Sequence, residues 1–268
     1  MIPILPETAW REFRGAAPKQ GQNLTVHQAL IADSSGREHK CFVKAAPHGN
    51  LMPFTEALAW MLAEALELPR PKFAALLMLP VQRLRSHLKL DQHWLHYSHA
   101  LAFCASTVDG KHISSRWEWL AHLRKAQAFR HEDVSRIAAF DMWVENQDRH
   151  TGNFLRTRDG TYVPIDNEFI LYTLVWQVAN VAVQHHSLRR EAREVLTAAG
   201  SGKFEVAMLL AGKSHAAALE KAAPALRQFI VGMHPDAKAG MAFASNILTF
   251  LDQRASAEWL ANELGHIA

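Results

Sequence analysis

Asn146-Gln147-Asp148-Arg149-His150-Thr151-Gly152-Asn153-Phe154-Leu155, with Ile165-Asp166-Asn167-Glu168 a few residues on, is the densest run of polar, chemistry-bearing side chains in the chain. A helix-patterned stretch, Ile137–Glu145, delivers the chain to it. Phe154–Thr157 and Tyr162–Asp166 read as two short strands around Gly160. Two carboxylates and an Asn on a loop between structured elements have the composition of a base with a pair of metal ligands. Hard oxygen donors of this kind suit Mg²⁺, which usually takes one or two carboxylates plus substrate phosphates.

Upstream of this loop the pattern is strand-rich. Residues 24–32 and 37–45 are β-leaning runs joined by the polar turn Asp33-Ser34-Ser35-Gly36, so a hairpin is predicted over 24–44. A short strand is expected near Trp10–Phe13, then a Gly-containing loop from Gly15 to Asn23. Residues 54–67 carry Leu58, Met61, Leu62, Ala65 and Leu66 at helical spacing, which predicts an amphipathic helix with Thr55 as N-cap and Pro69 as its stop. Residues 73–84 and 95–106 are expected to be strands. Downstream the period becomes helical: 118–129, 132–146, 171–198 and most of 204–264. The expectation is an α+β chain of two lobes, a strand-rich one over 1–105 and a helical one over 106–268, with a cleft between them.

Composition narrows the class. The 268 residues are 49% hydrophobic and 21% charged, as in ordinary globular proteins, and the formal net charge is only +3. No dense Lys/Arg arm is present, so direct nucleic-acid binding is not expected. The clusters Arg83–Lys89 and Arg189–Arg193 read as solvated helix faces. Two cysteines, Cys41 and Cys104, cannot frame a fold and are expected as buried free thiols in a reducing compartment. The longest apolar run, Phe73–Val81, is about half of a membrane span, and the start of the chain lacks a basic segment of the signal-peptide kind. A cytoplasmic protein with no membrane contact is expected.

Three features are set aside. Gly200-Ser201-Gly202-Lys203 lacks the upstream glycine of a phosphate-binding loop and is expected to cap the end of a helix. The sixteen histidines, including His93, His96, His99, His185 and His186, are joined by no cysteine and form no metalloprotease motif, so they are expected at the surface or half-buried. Trp117, Trp119 and Trp143 are expected in the core.

The central motif resembles the catalytic core of the protein-kinase-like superfamily. In such kinases a loop Asp accepts the substrate proton, an Asn five residues on holds a metal, and a later Asp bridges metal and phosphate. Asp148 and Asn153 have that spacing, and Asp166 follows thirteen residues later. The wording F-D-x-W-x-x-N-x-D-R-H-x-G-N-x-L, then P-I-D-N-E, is similar to the HipA-like kinase family, in particular its compact branch without an extra N-terminal domain. Phosphatidylinositol kinases share a similar D-R-H-x-x-N, but their second motif reads I-D-F-G.

The resemblance implies a two-lobed kinase-like fold, ATP and Mg²⁺, and transfer of the γ-phosphoryl group to a hydroxyl, Ser or Thr of a protein before others. A lipid or small-molecule kinase, and a pseudokinase that binds nucleotide without turnover, are the alternatives. It implies Asp148 as base, with Arg149 and His150 in the catalytic loop and His150 as a brace, and Asn153 and Asp166 as metal ligands. It pairs a strand lysine, Lys44, with a helix glutamate, Glu56, ahead of Leu68-Pro69-Arg70-Pro71; Glu64 and Glu67 are rival partners. Gly15, Lys19 and Gly21, with Lys44, are the candidate phosphate-binding residues, although no G-x-G-x-x-G is present. The resemblance also permits a toxin role with an antitoxin or regulatory partner that the sequence does not show.

Overall fold

A computed structural model of the chain describes residues 1–17, 25–113 and 118–266. The chain forms two compact units. One comprises Ile2–Ala57 with Pro71–Val108; the other comprises Met1, Leu58–Arg70 and Asp109–Ala268.

The first unit is built on a six-stranded sheet. Its strands are β1 (Ile4–Leu5), β2 (Trp10–Ala16), β3 (His27–Ala32), β4 (Glu38–Pro47), β5 (Ala74–Pro80) and β6 (His99–Ser106), in the spatial order β1-β5-β6-β4-β3-β2. Alternation makes the strands: His27, Ala29 and Ile31 of β3 and Cys41, Val43 and Ala45 of β4 are buried, with less buried residues between them. The predicted turn closes this hairpin. Asp33 Oδ1 accepts from the backbone N–H groups of Ser35 and Arg37 at 2.9 and 3.0 Å, an aspartate turn that needs no neighbouring chain. Both cysteines are buried free thiols, and Cys104 donates to the Ala75 carbonyl at 3.2 Å.

Several boundaries differ from the sequence expectation. Strand β2 extends through Gly15 and Ala16, which pair with Gln28 and His27, so the loop expected from Gly15 starts later. Gly15 has φ +131 next to a register shift, a bulge that a side chain would strain. Strand β5 ends at Pro80, which has no N–H to continue the ladder and precedes the short helix Val81–Arg85. Residues 92–96 form a 3-10 turn capped by Asp91, so the strand expected from Leu95 begins only at His99.

Helix α1 (Met52–Ala65) starts before Thr55. Asn50 Oδ1 accepts from Met52 N–H at 2.9 Å, while the Thr55 hydroxyl turns back onto the Met52 carbonyl at 3.1 Å. The helix is buried on every side from Met52 to Ala59, more than one amphipathic stripe. It ends where Glu67 takes φ +53 and Leu68 N–H reaches back to the Ala63 carbonyl at 2.9 Å. Val81–Arg85 is α2.

The second unit carries β7 (Gly110–His112), α3 (Glu118–Ala128), α4 (Glu132–Trp143), β8 (Phe154–Thr157), β9 (Tyr162–Pro164), α5 (Tyr172–Val175), α6 (Leu188–Val195), α7 (Ala198–Gly212), α8 (His215–Met233), α9 (Ala237–Arg254) and α10 (Ala257–Leu264). Strands β7, β8 and β9 form a small antiparallel sheet. A second apolar core, separate from that of the six-stranded sheet, joins α4 to α7 and α10 through Val134, Ile137, Phe204, Met208 and Leu260. The helix expected over 171–198 is interrupted: residues 176–187 are irregular between α5 and α6. Gly200-Ser201-Gly202-Lys203 lies in the first turns of α7, with Thr197 Oγ1 accepting from Gly200 N–H at 3.2 Å, so it opens a helix instead of closing one. Of the Arg189–Arg193 cluster, Arg190 and Arg193 are exposed as expected and Arg189 is half-buried; Arg189 and Arg193 both bond to the buried Glu205 at 2.7 Å. Trp119 is 64% exposed, against the expected core position, and Trp117 lies outside the described residues. Among the described residues no helix is long and apolar enough to cross a membrane.

Trp143 is buried, donates its indole N–H to the Leu251 carbonyl at 2.8 Å and stacks on the buried ring of His215 at 4.7 Å. Burial pushes the His215 pKa down to about 4. The unfolded chain, with its histidine near 6.5, therefore takes up the proton first as pH falls. The stabilisation is fully present above about pH 6.5 and declines by about 1.4 kcal/mol per pH unit from there toward pH 4. His215→Phe should remove this component, read as a flatter dependence of the urea midpoint on pH than in the wild type.

Candidate active site

Helix α4 ends at Trp143, and Glu145 takes φ +53 to turn the chain into the loop. The Glu145 carboxylate accepts from both the N–H and the hydroxyl of Thr173, at 2.8 and 2.6 Å, which anchors that turn. Asn146 is buried. Its amide donates to Asp141 at 3.0 Å and its oxygen accepts from Asp148 N–H at 3.2 Å. The loop therefore hangs from the last turn of α4 through an Asp141–Asn146 bridge.

Arg149 organises the rest. Its side chain is 1% exposed; Nε meets the buried Asp141 carboxylate at 2.9 Å. Nη1 donates to the carbonyls of Ile165 at 2.6 Å and Asn153 at 3.3 Å, and Nη2 donates to Asn167 Oδ1. One guanidinium thus ties α4, the Asp148 loop and the strand end that carries Asp166. A planar fork with five donors is suited to such a node, and a lysine is not. Burial is the largest influence on Asp141 and raises its pKa, while Arg149 and Asn146 pull it down.

Asn153 ends a 3-10 turn, Thr151–Asn153. Its amide nitrogen donates to the Asp148 carbonyl at 3.0 Å, and its backbone carbonyl accepts from Ile165 N–H at 3.0 Å. The turn is capped by His150, whose Nδ1 accepts from Gly152 N–H at 3.0 Å. A Cβ at Gly152 would sit 2.7 Å from the His150 ring, so this close approach requires glycine. Thr151 bonds through both N–H and hydroxyl to Glu191 of α6, at 3.3 and 2.8 Å. Asp166 has φ +62, a backbone state that aspartate tolerates better than most residues.

The Asp148 carboxyl is partly buried, and burial is the main reason its pKa is raised. His150, His186 and Arg149 draw it down, and the neighbouring Asp166 pushes it up. In the sheet-bearing unit, Lys44 lies on β4 opposite Phe103 of β6, and its ammonium bonds to the buried Glu56 carboxylate on α1. The rival Glu64 is bonded to Arg70 at 2.9 Å, and Glu67 is exposed at the helix end. Gly15 is a strand residue, and Lys19 and Gly21 lie outside the described residues.

Residues 34–159 match the family model described as HipA-like kinase. Over that stretch the chain is similar to the HipA-like kinase family. The HipA-like region contains Lys44, Glu56, Asp148 and Asn153 and stops short of Asp166. No curated protein matches the chain. Among solved structures, a chain of the Shewanella oneidensis MR-1 toxin–antitoxin complex of HipA, HipB and operator DNA is similar, at 13% identity and a TM-score of 0.48. It covers 98% of this chain and 68% of its own.

Three residues of the site gained their place only from the structure. Asp141 and Asn146 stand inside the quoted motif, but nothing local tells that they bridge helix and loop. His186, one of the histidines expected at the surface or half-buried, is half-buried. Its backbone N–H bonds to the Gln147 carbonyl at 2.8 Å, its ring lies 5.3 Å from that of His150, and its Nε2 is 4.0 Å from Asp148. No sequence signal connects positions 38 residues apart.

Proposed function

We propose that this chain is an ATP-dependent kinase that transfers the γ-phosphoryl group to a hydroxyl, with Ser or Thr of a protein as acceptor. The observation that carries the reading is the Asp148 carboxyl: partly buried, raised in pKa, and held beside Asp166 by the Arg149 node. A raised pKa makes a carboxylate a better acceptor for the hydroxyl proton. In the reaction the acceptor oxygen bonds to the γ-phosphorus, the bond to the β-phosphate oxygen breaks, ADP leaves, and the hydroxyl proton passes to Asp148.

The donor set fits a hard divalent ion. Asn153 spends its amide nitrogen on the Asp148 carbonyl, which leaves the amide oxygen as a ligand, and Asp166 is a carboxylate close enough to raise the Asp148 pKa. Asn153 and Asp166 would hold Mg²⁺, which neutralises charge on the transferred phosphoryl group when bound. Lys44, held by Glu56, would position phosphate oxygens. Arg149 and His150 serve by holding the loop. The proposal keeps residues 1–105 and 106–268 as nucleotide-covering and catalytic lobes, and a cytoplasmic setting. The family resemblance adds a regulatory protein partner of antitoxin type.

Incubation with γ-labelled ATP and Mg²⁺, followed by mass spectrometry of the chain and of added protein acceptors, tests the reading. Labelled Ser or Thr is expected. Label confined to lipid or to a small molecule would move the acceptor class, and no transfer at all would leave a nucleotide-binding pseudokinase.

Two further outcomes belong to it. Lys44→Met should lower the transfer rate by roughly 10²–10³-fold, the loss of one preorganised charge, and Glu56→Gln by less, with thermal melts showing that both variants fold. Nucleotide affinity, measured by calorimetry, should rise with Mg²⁺ in the wild type. Asp166→Asn should lose most of that gain and Asn153→Ala less, because only Asp166 brings a full negative charge. Equal metal dependence in wild type and Asp166→Asn would remove Asp166 from the metal site.

A further inference from the structure

Away from the Asp148 loop, the helical unit carries an open groove of about 930 Å³ between the start of α4 and one face of α7. Its floor is apolar. Phe129 and Phe204 are buried there in edge contact at 5.3 Å, and the small residues Ala199 and Ala207 leave the trough open. Leu210 stands on the wall and is 60% exposed. The charges are one-sided. Arg130, Arg136 and Lys203 line the groove against a single carboxylate, Glu132. Arg136 is fixed in place by the carbonyls of Leu66 and Glu67, at 2.9 and 3.2 Å, while Arg130 and Lys203 are exposed at the rim.

We propose that this groove docks an acidic, amphipathic helical segment of a partner protein. From Ala199 to Gly212 the α7 wall is about 20 Å long at 1.5 Å per residue, room for a helix of roughly four turns. An exposed leucine over an apolar floor asks for apolar side chains at i, i+3/i+4 and i+7. The cationic rim asks for carboxylates on the flanks of the same helix, which would steer it and select against basic segments. Three cations are too few to track a phosphate backbone, whose binding rests on neutralising many phosphates, and the apolar floor would be left unused. The inference concerns a surface distinct from the catalytic loop and holds whether or not the chain transfers phosphate.

Fluorescence anisotropy on the full chain tests it. The probe is a labelled four-turn peptide with leucines at i, i+4 and i+7 and glutamates on both flanks. Two control peptides replace its glutamates by lysines or its leucines by serines. The wild type should bind the Glu/Leu peptide at least about tenfold more tightly than either control, about 1.4 kcal/mol. Arg130→Glu with Lys203→Glu should reverse the preference toward the lysine peptide, and Leu210→Asp should abolish binding of both. All three positions are exposed, and thermal melts check that the variants stay folded. Absence of saturable binding below about 1 mM, or a preference untouched by the charge reversal, overturns the proposal. Equal displacement of the probe by a single-stranded oligonucleotide overturns it in favour of nucleic acid. A dimer in light scattering that Leu210→Asp dissociates overturns it in favour of a second copy of this chain.

Discussion

Asp148→Asn should lower phosphoryl transfer by roughly 10²–10⁴-fold, the usual worth of general-base assistance. The asparagine keeps the shape of the side chain and removes its capacity to take a proton. The hydrogen bonds that place residue 148 are made by its backbone: its N–H donates to Asn146 and its carbonyl accepts from Asn153. The loop should therefore stand, and nucleotide affinity should stay within a few-fold. The pH profile carries a second signature. Because burial raises the Asp148 pKa, the acid limb of kcat/KM should lie above the ordinary aspartate range near 3.9. His186 is one of the groups that lower it, so removing that ring should move the limb further up. Full activity in Asp148→Asn would dismiss the loop assignment.

Arg149→Met should cost the largest stability of any single change in the site, about 3–5 kcal/mol, the penalty for breaking a buried ion pair. The methionine fills similar space but leaves the buried Asp141 carboxylate without its cation and the Ile165 and Asn153 carbonyls without a donor. Urea titration should show a lower midpoint. The paired change Asp141→Leu with Arg149→Met should recover much of that stability, since an apolar pair carries no desolvation penalty. It should not recover activity, because Asn146 and the strand end at Asp166 still lose their common anchor. Stability and activity that returned together would show that Arg149 merely fills the core.

The sequence carried the hairpin over β3 and β4, because alternation and an aspartate turn are local signals read within a few residues. It carried α1, α4 and the β8–β9 pair for the same reason, and it carried the Asp148–Asn153–Asp166 spacing because the motif is short and contiguous. It misread the ends of α1 and β5. There, competing local bonds decide: Asn50 and not Thr55 caps the helix, and Pro80 stops a strand that its neighbours would continue. It read residues 171–198 as one helix because the period persists, whereas Asn180 takes φ +55 and the backbone bond from His186 to Gln147 holds that stretch against the Asp148 loop instead.

What composition and period determined by themselves was an α+β chain with a dense polar loop, since residue type and local period suffice for that; the kinase reading of the loop came from its resemblance to the HipA-like family. What only the tertiary structure decided was which partners these residues hold. Arg149 became a buried node because Asp141 of α4 and the Ile165–Asn167 stretch converge on it. Glu56 was separated from Glu64 because Arg70 occupies the latter. Half-buried His186 came to lie 4.0 Å from Asp148, and Arg189 and the exposed Arg193 both came to pair with Glu205. Each of these is a contact between residues distant in sequence. Charge and hydrogen-bonding capacity are written in a side chain, but the desolvation and the opposite charge that give them a role are supplied by whatever the fold packs against it.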